Sequence, residues 1–187
     1  MEWIIDSFAR VDPPDGVGVS PYKEFDNDRS NEVNLLKLLR LPPRIKVLEA
    51  CGAIADGRIE VVTENYAKVF SSRRDKVYTV YLDLNKGLVY SNDNGTLLRG
   101  YVGYPIICFM MVKRALPYDD RIAKALAGIP WADLNERYKK YAIVESIVKK
   151  IARERGVSEG EIDRFVNEVL RDLARYRLYL VSTIPQQ

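Results

Sequence analysis

Rings and cations alternate through one stretch of this chain. Tyr66, Phe70, Arg73, Arg74, Lys76, Tyr78, Tyr81, Tyr90, Arg99 and Tyr101 fall within a single sheet-forming segment. This is the mixture that holds single-stranded nucleic acid: flat rings stack on bases, at about 1–3 kcal/mol each, while Lys and Arg neutralise phosphates. Stacking ignores base identity, so the expected binding has little sequence preference, and tyrosine hydroxyls tolerate the wet edge of such a cleft. The plainer use of the same residues is structural, because tyrosine suits strands and half of the set would then pack a core.

Most other chemistries fall away. The 187 residues include no His and only two Cys, Cys51 and Cys108. That removes Ser-His-Asp and Cys-His catalysis, helical HExxH zinc sites, Cys2His2 fingers and four-cysteine zinc sites. Cys108 stands in the apolar run Ile106–Met111 and reads as a small buried hydrophobe. No GxxxxGK[ST] occurs, and Gly100-Tyr101-Val102-Gly103 lacks the third glycine of a dinucleotide fingerprint. Asp26 and Asp28, with Glu24, are the one set suited to a shared magnesium ion, as in a metal-dependent nuclease, but the sheet region holds no Glu-x-Lys to complete it. The expectation is a binding protein without catalysis, cofactor or metal.

The charge is uneven in a way that fits this. The net charge is +3, yet residues 71–155 carry 16 Lys and Arg against 9 Asp and Glu, while both flanking segments are mildly acidic. A basic middle section is the footprint of a localised anion-binding surface. A solvated, salt-bridged helical surface would leave the same count.

The elements that must position these residues are legible to different degrees. Asp12-Pro13-Pro14-Asp15-Gly16 breaks the chain after a short amphipathic start, and Asn31 reads as the N-cap of a leucine-rich helix from Glu32 to Arg40. Residues 44–101 read mainly as sheet. Arg58–Thr63 is a short strand, and Lys76–Leu84 is the best strand, with Tyr78, Val80, Leu82 and Leu84 on one face and Val77, Thr79, Tyr81 and Asp83 on the other. Asn85-Lys86-Gly87 turns into Leu88–Tyr90, and Asn92-Asp93-Asn94-Gly95 turns into a third strand at Leu97–Tyr101. Helices are expected from Gly103 to the end: a buried one from Pro105, a short one opened by Asp119 and Asp120, one from Pro130 to Tyr138, and an amphipathic one over 142–155.

The last segment is the most regular. Ser158-Glu159-Gly160-Glu161 is a capping box. Ile162, Val166, Val169, Leu173, Tyr176 and Leu180 follow at spacings of 4 and 3, the seam of a coiled coil, which predicts a homo-oligomer, dimer or tetramer. The bland alternative is a helix packed on its own domain.

One segment carries a family resemblance. Gly103-Tyr104-Pro105-Ile106, Leu116-Pro117-Tyr118-Asp119, Gly128-Ile129-Pro130-Trp131 and Leu134-Asn135-Glu136 resemble the archaeal single-stranded-DNA-binding family called ThermoDBP, found in some hyperthermophiles. The resemblance implies a domain of a small antiparallel sheet and helices with a hydrophobic, positively edged cleft, and a C-terminal helix that dimerises like a leucine zipper. Gln confined to Gln186 and Gln187, with dense mixed charge, is the composition of a hot habitat.

The expected architecture is therefore α+β: a small antiparallel sheet packed with helices over residues 1–155, followed by a C-terminal coiled-coil-like oligomerisation helix over 156–187. The expected partner is single-stranded DNA, with RNA as the alternative strand. Met1–Asp6 has acids where an export signal needs basic residues, and no apolar run spans a bilayer, so a cytoplasmic location without membrane contact is expected. A protein-interaction adaptor working through the last helix is the rival reading, and the magnesium nuclease a weaker one.

Overall fold

A computed structural model describes residues 36–184. Glu24, Asp26, Asp28 and the first part of the Asn31-capped helix lie outside the described residues. The architecture is α+β, with six strands and seven helices among the described residues. The strands β1 (Lys37–Leu38), β2 (Ile59–Val61), β3 (Tyr66–Phe70), β4 (Val77–Asp83), β5 (Leu88–Ser91) and β6 (Tyr179–Leu180) form one sheet in the order β1-β6-β5-β4-β3-β2. From β2 to β5 it is an antiparallel meander; β6 joins β5 in parallel, so the sheet is mixed rather than purely antiparallel.

Strand alternation gives the sheet two unlike faces. Ala67 and Val69 on β3, Val80 and Leu82 on β4, and Val89 on β5 are fully or almost fully buried. They meet α3 (Tyr104–Val112), whose nine residues are all buried and whose ring Tyr104 packs edge-on against Tyr78 at 5.8 Å. Pro105 sits in its first turn, where the missing N–H costs nothing. Both cysteines are buried in this core, and burial pushes the Cys108 thiol up to about 12 and that of Cys51 well up.

Four stretches depart from the sequence reading. Residues 37–38 are strand, not helix: Lys37 and Leu38 pair with Leu180 and Tyr179, so the leucines fill a sheet edge. Residues 45–55 are helix α1 (Ile45–Ala55), not sheet. Its eight consecutively or nearly consecutively buried residues leave no apolar stripe to read, and Ile45, Val47 and Ile54 imitate a strand. Gly52 of α1 accepts the fully buried Trp131, whose indole nitrogen would lie 2.9 Å from a Cβ placed there.

The expected strand at 97–101 is instead α2 (Asn94–Leu97) and a turn. Asp93 Oδ1 accepts from the N–H groups of Gly95 (2.8 Å) and Thr96 (3.1 Å), so the acidic turn is a helix cap. Only Tyr101 makes a bridge, parallel to Arg40.

The chain is also not helical to its end. The short helix is α4 (Asp120–Ala125), followed by α5 (Trp131–Tyr138), α6 (Tyr141–Glu154) and α7 (Glu159–Leu173). The capping box stands as read: Ser158 and Glu161 satisfy each other's backbone, and the bonds from Ser158 and Arg121 hold the Glu161 carboxyl down at about 2. But α7 stops at Leu173, so Tyr176 lies beyond the helix and Leu180 belongs to β6. Ile162, Val166, Val169 and Leu173 face the chain's own core and are essentially buried. Arg44 ties α7 to its neighbours by pairing with Asp163 and with Glu145 of α6. The boundary at residue 155 thus falls inside one continuous core. Among the described residues no helix is long and apolar enough to cross a membrane.

Candidate functional site

A cleft of about 790 Å³ opens at the end of the sheet where β4 begins. One wall is the β3–β4 loop, residues 71–76. It is fastened to α5 by Ser72 Oγ, which accepts from the N–H of Ala132 at 2.9 Å, and by Arg73, which pairs with Asp133 and Glu136. Buried Trp131 anchors α5 itself. The opposite wall is the turn of α2 with Arg99 and Tyr101, seated by Asp93. Gly103 is required there, since a Cβ at that position would run into the Asp93 carboxylate.

The floor and far end come from α1, α3 and α6. Lys46 and Glu49 of α1 are paired at 2.6 Å. Burial opposes the Lys46 charge, but the Glu49 carboxylate outweighs it and raises the Lys46 pKa. Tyr141, the first residue of α6, is a hub. Its hydroxyl accepts from Arg99 Nη1 at 2.7 Å and lies 3.2 Å from the Tyr101 hydroxyl, and its ring carries Lys46 Nζ at 5.1 Å and the Arg99 guanidinium at 5.8 Å. Burial, and then the bond to Tyr141, push Tyr101 up to about 12. Burial likewise raises Tyr78 and, far more, Tyr104. These three rings are neutral throughout the ordinary pH range.

The cleft's cations are not equivalent. Arg73 and Lys46 are ion-paired with carboxylates, whereas Lys76, Arg99 and Lys139 make no salt bridge among the described residues, although Lys76 stands near enough to Asp75 and Glu136 to lower both carboxyls. Lys139 holds φ at +53°, a left-handed conformation that costs a non-glycine residue about 1 kcal/mol. Of the cleft's acids, Glu49 and Glu136 are ion-paired, Asp75 accepts from Ser71 Oγ, and Asp93 is consumed by the α2 cap. Asp75 and Asp93 keep their charge when neutral donors bind them, so the lining carries five cations against four carboxylates.

The ten residues singled out in the sequence do not form one site. Arg73, Lys76, Tyr78, Arg99 and Tyr101 line the cleft. Tyr66, Tyr81 and Tyr90 stand side by side across β3, β4 and β5 on the other face of the sheet, with the first two rings 5.1 Å apart. Phe70 shares that face opposite Val77, and Arg74, in a left-handed turn at φ +58°, lies 6.0 Å over its ring and donates to the Asp56 carbonyl. Tyr101 and Tyr81 are mostly covered, at 7% and 6% exposure, which leaves half-buried Tyr78 and Tyr141 as the cleft's accessible rings.

Tyr141, Lys139, Lys46 and Tyr104 were missed. Arg137-Tyr138-Lys139-Lys140-Tyr141 shows the same interleaving of rings and cations as the sheet stretch and was legible by the same rule. Lys46 and Glu49 became invisible once α1 was read as sheet. No group of three or more metal-ligating side chains is assembled among the described residues.

No curated protein and no solved structure matches this chain. A family model does match, over residues 39–179, from just after β1 to the first residue of β6 and including both walls of the cleft. The chain belongs to that family, whose description is "Uncharacterised conserved protein UCP014422".

Proposed function

We propose that this is a non-enzymatic, cytoplasmic single-stranded-DNA-binding protein with little sequence preference, and that the strand lies in the cleft. The observation that carries this reading is a groove whose accessible rings, Tyr78 and Tyr141, stand beside Lys76, Arg99 and Lys139, cations that make no salt bridge among the described residues. Rings in such a groove stack on bases and the cations meet phosphates. The resemblance of residues 103–138 to ThermoDBP supports the same reading. The outer row Tyr66, Tyr81 and Tyr90 is left out of the strand's path, because Lys68, beside it on β3, stands across from Glu60.

Self-association through the last helix belongs to this proposal as its weaker part. The apolar seam is occupied by the chain's own core, so a partner copy would have to use the exposed side of α7. The adaptor reading, which needs the same seam, loses support for the same reason. Titrating labelled oligonucleotides by fluorescence anisotropy at rising salt tests the proposal. It expects binding at low salt that weakens as salt rises, with single strand preferred over duplex. Equal affinity for duplex would reject it.

A further inference from the structure

We infer that the corner of the cleft formed by Arg99 and Tyr141 is a subsite for one backbone phosphate, and that Tyr141 is the positioning residue that holds Arg99 ready for it. The inference rests on the strand-binding reading and adds to it a residue and a role that the ring-and-cation pattern does not supply.

Three observations converge on this corner. Arg99 is exposed and has no carboxylate partner among the described residues; the bond its side chain makes is to a neutral acceptor, the Tyr141 hydroxyl at 2.7 Å. An arginine held by a phenol keeps its full charge and spends one of its five N–H donors, so the remaining ones stay available to an oxygen anion. The geometry is fixed twice more. The Arg99 guanidinium lies 5.8 Å from the Tyr141 ring centre, and the Tyr141 hydroxyl is held from its other side by Tyr101 at 3.2 Å. The Arg99 carbonyl accepts from Arg40 Nη2 at 2.6 Å, which seats the backbone.

The surroundings favour an anion as well. Lys139 lines the same cleft, and α6 begins at Tyr141 with no side-chain cap and no acid in its first turn, so the positive end of its dipole is unopposed. By contrast the cation at the other end of the cleft, Arg73, is already closed by Asp133 and Glu136. A long flexible arginine loses freedom when it binds phosphate; one already clamped loses less, which is the physical content of positioning.

The test compares salt dependence in the full chain, using a labelled oligothymidylate, for wild type, Tyr141→Phe, Arg99→Ala and the double variant. Tyr141→Phe keeps the ring that carries Lys46 and removes only the hydroxyl. It is expected to weaken low-salt binding several-fold and to reduce the salt slope by about 1, as Arg99→Ala does, because a phosphate contact is lost. The double variant is expected to match Arg99→Ala. A slope in Tyr141→Phe equal to that of wild type, or fully additive losses in the double variant, overturns the positioning role while leaving strand binding in place. Absence of wild-type binding overturns the strand-binding reading itself. Inorganic phosphate, exchanged for chloride at constant ionic strength, is expected to leave the wild-type curve unmoved; displacement of the strand by it assigns the corner to a free anion instead.

Discussion

The cleft and the outer face of the sheet hold comparable numbers of tyrosines, yet their electrostatics differ. On the outer face three rings pack side by side, and Lys68 stands opposite Glu60. In the cleft the rings meet in pairs, Tyr78 with Tyr104 and Tyr101 with Tyr141, and three of the cations make no salt bridge among the described residues. On the proposed reading, aromatic content alone does not mark a nucleic-acid surface. What distinguishes the cleft is charge left over after the fold has used what it needs, placed beside rings that keep an open edge.

Disturbing the cleft's frame should have the largest effect. Gly103→Ala forces a Cβ against the Asp93 carboxylate and unseats the α2 wall, with an expected loss of about 2–3 kcal/mol in urea unfolding. A variant that keeps wild-type stability would mean that this wall is not held as described. Next come the rings. Tyr78→Ala is expected to weaken strand binding by about 1–3 kcal/mol, while Tyr90→Ala on the outer face leaves the anisotropy curve unchanged. The reverse ranking would move the strand to the outer face.

The cations give a smaller contrast within the cleft. Arg99→Ala should weaken binding about tenfold at low salt and lower the salt slope by about 1. Arg73→Ala should lower the salt slope less than Arg99→Ala does, since Asp133 and Glu136 already answer that charge, and any weakening it causes comes from loosening the 71–76 wall and freeing those two carboxylates. The smallest effect is on pH dependence. Tyr101 is raised from 10.0 to about 12, so its contribution to stability is complete below pH 10 and is lost as pH rises from there through about 12. Wild type should lose stability over that alkaline window more than Tyr101→Phe does; identical profiles would show that the Tyr101 hydroxyl is not buried in solution as described.

How far the sequence foretold this arrangement depended on the kind of signal. The period of two in Lys76–Leu84 gave β4 and both of its faces correctly, and the capping box at Ser158 fixed the start of α7. The same alternation puts Tyr78 and Tyr81, an odd number of residues apart, on opposite faces, which is why the ten residues divide. Helix α1 was not legible because it is buried on nearly every side and so shows no stripe. The seam of α7 was legible as a stripe, but a stripe says only that something covers it; the cover here is α1 and α6 of the same chain. β6 could not be read at all, since two residues acquire strand geometry only from the pairing that β1 and β5 provide. The cleft follows from these long-range pairings, and Tyr141 meets Arg99 across 42 residues of sequence.

The central claim is that single strands bind in the cleft through its unanswered cations. The most direct measurement is the slope of log Kd against log salt for a single-stranded oligonucleotide, compared among wild type, the Lys76→Ala/Arg99→Ala variant and Lys68→Ala on the outer face. The account predicts a slope lower by about 2 in the cleft variant and unchanged in Lys68→Ala. No binding by wild type at low salt, or a slope altered by Lys68→Ala and not by the cleft variant, would contradict it.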